Sequence, residues 1–260
     1  MAPFNTHFLI AEKVWPELQN GPWAEHYGQF CFGCVAPDVD KASATLSQRD
    51  THFNDRTTDY ELMASARTSA FMAQQAQFLK HPLAELPAAG QAFVLGYVCH
   101  LAVDEVSKHL WRQETWRKFK HVRPTSAFAV LDEFVWQQTE NYEAIRHALA
   151  AIEALDVLNP VPLTDLQHML RGVQTFVAAR SLEQEYLALI DLFDADRSAE
   201  ERQQSLDRLR QELDLVRPQL QYFKLEQLLC SGVAHSHRRL ADLLAGRKPK
   251  PAYPELIGGA

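Results

Sequence analysis

Apolar and polar positions recur along this chain with the period of a helix. In Thr6-His-Phe-Leu-Ile-Ala-Glu-Lys-Val-Trp15, His7, Ile10, Ala11 and Val14 fall at i, i+3, i+4 and i+7. This predicts a first helix with Asn5 or Thr6 as its cap, and it puts His7 on the core-facing side. A second helix is expected from about Trp23 to Phe32. Pro37 and the loss of periodicity then make Asp38 and Asp40 loop residues, in a loop running through Ser43–Arg49 to Thr51-His-Phe-Asn-Asp55. Further helices are expected over Thr58–Lys80, Ala88–Arg112, Ala127–Leu155, Leu163–Arg180, Leu182–Phe193 and Ala199–Leu215. Pro82 and Pro87 break the chain before the apolar Ala88 helix, and Arg123-Pro-Thr-Ser126 starts the next one. Pro218 restarts a closing helix that ends near Gly246.

No stretch shows strand alternation, internal repetition or a low-complexity linker. The fold class expected is therefore all-α, a multi-helix bundle forming one domain over residues 1–246. The helices after about Leu163 are expected as a layer packed on it, and 247–260 as a flexible tail. Composition agrees: 10 glycines in 260 residues and 47% hydrophobic content describe a globular, helix-rich chain.

A formal charge of -7 argues against broad nucleic-acid binding, which needs a basic surface, but leaves room for a phosphoester held by a metal. The first apolar piece, Phe8-Leu-Ile-Ala, runs at once into Glu12 and Lys13, unlike a secretion signal, and no run is long enough to span a bilayer. The expected compartment is cytoplasmic, with Cys31, Cys34, Cys99 and Cys230 as reduced thiols. Cys31-Phe-Gly-Cys34 is a lone C-x-x-C, read as small buried hydrophobes.

The chemistry lies in polar residues that the apolar pattern does not explain. His100 and Asp104 sit i, i+4 within Gly96-Tyr-Val-Cys-His-Leu-Ala-Val-Asp-Glu-Val-Ser-Lys-His-Leu-Trp111, on one face of an almost wholly apolar helix. A buried carboxylate without a partner costs several kcal/mol or takes up a proton. Alone, this pair is read equally well as a structural hydrogen bond or as part of a metal site. His7, Asp38 and His52 tilt the balance. Together the five give three imidazoles and two carboxylates from four segments, the donor types zinc accepts.

These pieces resemble the zinc-dependent phospholipase C and S1/P1 nuclease superfamily. The resemblance rests on Thr6-His7, Gly33-Cys-Val-Ala-Pro-Asp38, Thr51-His52-Phe and Gly96-Tyr-Val-Cys-His100-Leu-Ala-Val-Asp104, in family order over about the first 110 residues. It implies an all-helical metal-dependent phosphoester hydrolase. Asp38, His52, His100 and Asp104 would hold one Zn²⁺. Asp104 with His7 would hold a second, which in secreted relatives the N-terminal amine completes; here Ala2 would have to supply that amine. Asp38 is also the candidate to orient the attacking water or accept its proton.

A third zinc set is not matched. His109 lies about 140° round the helix from Asp104, and no carboxylate stands four residues after His121, His147 or His168. Asp132 or Glu133 could supply a carboxylate from the next helix, but nothing in the spacing picks one. Asp40 and Asp55 read as solvated or supporting acids, and His235 and His237 as residues near a helix C-terminus. The substrate expected is a small phosphoester or phospholipid headgroup, or a nucleotide. The alternative is a non-catalytic helical protein that keeps a structural metal site or a binding role. Oligomeric state is not legible.

Overall fold

The computed structural model describes residues 3–53, 67–111 and 122–248. The expected helix start at 58–66, the Ala2 amine, Asp55, His121 and most of the tail lie outside these residues. The described chain forms helices α1 Phe4–Leu18, α2 Tyr27–Gly33, α3 Gln48–His52, α4 Arg67–Phe78, α5 Ala88–Leu110, α6 Pro124–Trp136, α7 Tyr142–Ala150, α8 Leu163–Ala178, α9 Leu182–Phe193, α10 Ala199–Val216 and α11 Leu225–Leu244. Short 3-10 turns cover Ala36–Lys41, Leu83–Glu85 and Arg217–Phe223. Among the described residues there is no strand, only an isolated bridge between Leu79 and Leu158. The fold is all-α, as the pattern predicts.

Helix α5 is the axis. Phe93, Val94, Leu95, Tyr97, Val98, Leu101, Val103 and Val106 are all fully buried on it. Apolar side chains all round a helix mean neighbours all round it; here α2, α11, α4 and α1 pack against it. Helix α2 comes closest, through paired glycines. A Cβ on Gly96 would lie 2.0 Å from the Phe30 carbonyl oxygen, and one on Gly33 would lie 2.1 Å from that of Phe93. The two backbones therefore touch, and the chain leaving α2 at Cys34 begins against the middle of α5.

Four expectations change. The span 127–155 is two helices, because Gln137-Gln-Thr-Glu-Asn141 offers no apolar position. Thr139 Oγ1 donates to the Val135 carbonyl at 3.1 Å, and the Asn141 N–H donates to Glu12 at 2.6 Å. Asp38 sits in the 3-10 turn rather than in open loop, with Pro37 in its first turn. The loop before His52 also closes into α3, where the Ser47 N–H donates to the Asp50 carboxylate at 2.8 Å. The C-terminal helices do not form one added layer. Helices α9 and α10 share a small core with α6 built on Ala129, Leu182, Tyr186, Ile190, Leu206 and Leu209. Helix α11 instead enters the main core, where Gly232 meets Ile10 and Ser236 lies beside Cys99.

The Gly33–Gly96 contact yields a first prediction. Gly96→Ala must push α2 off α5, because the obstructing atom is backbone; overpacking of this kind costs typically 1–3 kcal/mol. Urea unfolding should show at least that loss. An unchanged midpoint would mean the helices do not approach as described.

Candidate metal centre

Each of the five expected residues reaches one buried volume. His7 comes from the first turns of α1, Asp38 from the 3-10 turn, His52 from the end of α3, and His100 with Asp104 from successive turns of α5; none is more than 1% exposed. Their donor atoms form two groups, His7/His100/Asp104 and Asp38/His52/His100, within each of which the atoms lie within 4.8 Å of one another.

The hydrogen bonds around the rings decide which atoms face inward. His100 Nδ1 lies 2.8 Å from the Cys34 carbonyl oxygen, which can only accept, so Nδ1 carries the proton and Nε2 presents a lone pair. His52 Nδ1 lies 2.8 Å from Thr51 Oγ1 and 3.5 Å from Asp40 Oδ1, again turning Nε2 inward. The two Nε2 atoms stand 3.3 Å apart, and Asp38 Oδ1 is 3.3 Å from that of His52 and 3.9 Å from that of His100. Three acceptors thus face one another, shut off from bulk solvent. Asp104 divides its oxygens: Oδ1 lies 4.0 Å from His7 Nε2, while Oδ2 lies 3.9 Å from Nε2 of both His52 and His100. The His7 ring stacks on His100 with centroids 4.1 Å apart, and neither of its nitrogens has a hydrogen-bond partner among the described residues.

Protonation matches this arrangement. Burial lowers His52 and His100 to about 4 and pushes His7 well below its ordinary value. Burial alone would raise Asp38, but the Lys41 ammonium 2.8 Å away and the His52 contact hold it well below the usual carboxylate range. At neutral pH the cluster therefore holds neutral imidazoles and ionised carboxylates, the forms that bind a cation. The donor set fits zinc, since unpartnered buried nitrogens and converging lone pairs want positive charge between them. His100 has one free lone pair, so it can serve only one of the two groups at a time. Assigned with Asp38 and His52, it leaves His7 and Asp104 Oδ1 for the other.

The family described as zinc dependent phospholipase C matches residues 6–157, more than half of the 260. The chain belongs to that family. No curated protein matches the chain, and no solved structure does either. Membership makes this a domain of a metal-dependent phosphoesterase family, and all five residues fall within the matched span.

Several participants were not visible in the sequence. Arg67, the first residue of α4, is buried with Nη1 donating to Asp104 Oδ2. Tyr97, one turn before His100, donates its hydroxyl to the Thr51 carbonyl and so fixes the residue beside His52. Lys41, at i+3 from Asp38, is the one such partner whose spacing was legible. Asp40 is not a solvated acid: it faces His52, and burial together with the Asp38 charge raises it to about 6.

Other candidates lie elsewhere. Asp132 accepts the Asn5 N–H at 2.7 Å, and Glu133 pairs with Arg217. His109 belongs to neither donor group. His235 is not near a helix end but buried in mid-α11, with Nε2 2.6 Å from Glu105 Oε2. Cys31 and Cys34 are buried, unbridged thiols. A cavity of about 500 Å³ between Trp23, Leu79, Leu83 and Leu243 contains none of the site residues.

Burial sets the second prediction. In metal-free protein the ring signals of His52 and His100 should hold their neutral NMR positions until the pH nears about 4. The unfolded rings protonate near the ordinary 6.5, so between these values the unfolded state binds more protons. Both imidazoles therefore withdraw stability as the pH falls through that window. Titration near 6.5 in the folded protein would show that water reaches the cluster.

Proposed function

We propose that this protein is a metal-dependent phosphoester hydrolase in which Asp38, His52, His100 and Asp104 hold one zinc and His7 with Asp104 a second. The observation that carries this reading is the convergence of lone pairs from His52, His100 and Asp38 at 3.3–3.9 Å in the buried core. An arrangement of acceptors alone is repulsive, and it is retained only where a cation relieves it. Asp104 presents its two oxygens to two different groups of nitrogens, the posture of a carboxylate shared by neighbouring ions. Bound zinc supplies Lewis acidity toward a phosphoryl oxygen and makes a nucleophile of water near neutral pH.

The chain's own residues do the rest. Asp38, ionised and oriented by Lys41, is placed to orient the attacking water and take its proton. The Cys34 carbonyl and the Thr51–Asp40 pair lock the tautomers of His100 and His52, the role usually played by partners of a ligating histidine. The substrate class is a phosphodiester, such as a phospholipid headgroup or a nucleotide. Among the described residues no helix is long and apolar enough to cross a membrane, so access to a lipid would be from its surface.

One observation favours a rival. Lys41 and Arg67 already set a cation against each carboxylate, which is what a non-catalytic protein with a single structural metal, or none, would need.

Zinc content and turnover separate the readings. The hydrolase should hold two equivalents of zinc by mass spectrometry and cleave bis(p-nitrophenyl) phosphate. Asp104→Asn keeps the size but loses the shared charge, and should lower kcat/KM by on the order of 10²-fold or more, with loss of one zinc. One tight metal with no turnover on any phosphodiester would favour the rival.

A further inference from the structure

The hydrolase reading leaves one buried cation without a task. Arg67 is 1% exposed and sits on the same Asp104 oxygen that His52 and His100 approach at 3.9 Å. Long charged side chains are rarely buried to this degree unless fully paired. Arg67 is not fully paired: its Nη1 is committed to Asp104, yet its Nε, also shut off from water, has no hydrogen-bond partner among the described residues. A guanidinium has donors on several edges, held in a rigid plane. With Nη1 fixed on Asp104, the Nε–H is left without an acceptor among the described residues.

The position of Arg67 is held by a second pair of residues one step along both helices. Glu105, next to Asp104 on α5, accepts the Thr68 N–H at 2.8 Å and the Thr68 hydroxyl at 3.0 Å. Thr68 is next to Arg67 on α4. Consecutive carboxylates thus grip consecutive residues of the facing helix. From the other side, α11 brings His235 Nε2 to 2.6 Å and Arg239 Nε to 3.9 Å from Glu105 Oε2. This buried polar cluster makes none of the metal contacts. What it does is fix the backbone from which Arg67 reaches Asp104.

We infer that Arg67 is a phosphoryl-binding residue, which donates its Nε–H to a non-bridging oxygen of an anionic phosphoryl group while Nη1 stays on Asp104. The inference rests on the hydrolase reading for its ligand class. The chemistry matches: a planar fork recognises tetrahedral oxyanions better than a point charge does, and a positive group already desolvated is at its strongest there. Arg67 forms and breaks no bond in this role.

The test uses the zinc-loaded full chain with inorganic phosphate as the probe, followed by isothermal titration calorimetry, beside zinc content by mass spectrometry. Arg67→Met should keep its zinc and bind phosphate roughly 10- to 100-fold more weakly, the range expected on losing a charged hydrogen bond. Its kcat/KM for bis(p-nitrophenyl) phosphate should fall by on the order of 10²-fold. Phosphate affinity equal to wild type at full zinc content overturns the inference and leaves Arg67 as a counter-ion of Asp104. Should Arg67→Met not fold or not retain zinc, Arg67→Lys is read instead. It keeps the charge beside Asp104 but not the fork, so it should still weaken phosphate several-fold; unchanged affinity overturns the inference equally. Failure of the hydrolase reading looks different: wild-type protein that binds phosphate through Arg67 but turns over no phosphodiester sinks that reading and leaves this one standing.

Discussion

Lone pairs pointed at one another in a space shut off from bulk solvent are the constraint on which this protein depends. Nε2 of His52, Nε2 of His100 and Asp38 Oδ1 meet at 3.3–3.9 Å, and every one of them is an acceptor in the protonation state that burial imposes. In water such groups would be hydrated separately. In the core they have only each other, so their mutual repulsion must be met by positive charge. Lys41 and Arg67 reach the outer sides of Asp38 and Asp104, but neither ammonium nor guanidinium stands between the two imidazoles. The inner face remains the place for a cation.

Holding repelling groups together takes rigid backbone, and the fold supplies it from helices rather than loops. His100 and Asp104 come from an α-helix packed on several sides, where a turn cannot unwind without exposing core. Gly33 and Gly96 let α2 touch α5, and this brings the Cys34 carbonyl to 2.8 Å from His100 Nδ1. The same backbone contact fixes the start of the 3-10 turn that carries Asp38. Tyr97, one turn from His100, holds the Thr51 carbonyl and with it the end of α3. One helix thus carries two of the five site residues and steers two more.

This division explains what could be read from the chain. The all-α class and most helix spans follow from apolar periodicity, and the five candidate residues, which the fold brings together, from a family pattern of histidines and aspartates at set spacings. The break at Gln137–Asn141 was obscured because helix-forming glutamines and glutamates flank it, while the break depends on a tertiary bond to Glu12. Arg67 carried no local signal: its partner Asp104 lies 37 residues away, and an arginine within a helix reads as a surface residue. His235 was misplaced for the same reason, since its charged neighbours Arg238 and Arg239 suggest solvent while its own face of α11 meets Glu105. Residue type and spacing reveal groups that share a segment; pairing across segments is decided by packing.

Charge bookkeeping at the cluster links these features to substrate choice. Asp38 and Asp104 are offset by Lys41 and Arg67, so with Asp40 beside His52 the described side chains around the centre sum to no more than about one negative charge before any ion binds. A dication held there would add two positive charges, more than this set cancels. The chain as a whole carries -7, so an anionic substrate would be repelled by the general surface and attracted only at this point. Inside low-dielectric walls that attraction is concentrated rather than screened. A phosphodiester keeps one negative charge at neutral pH and gathers more as water adds to phosphorus. On the proposed hydrolase reading, that imbalance would favour the transition state over the bound ester, which is the condition for catalysis rather than mere binding.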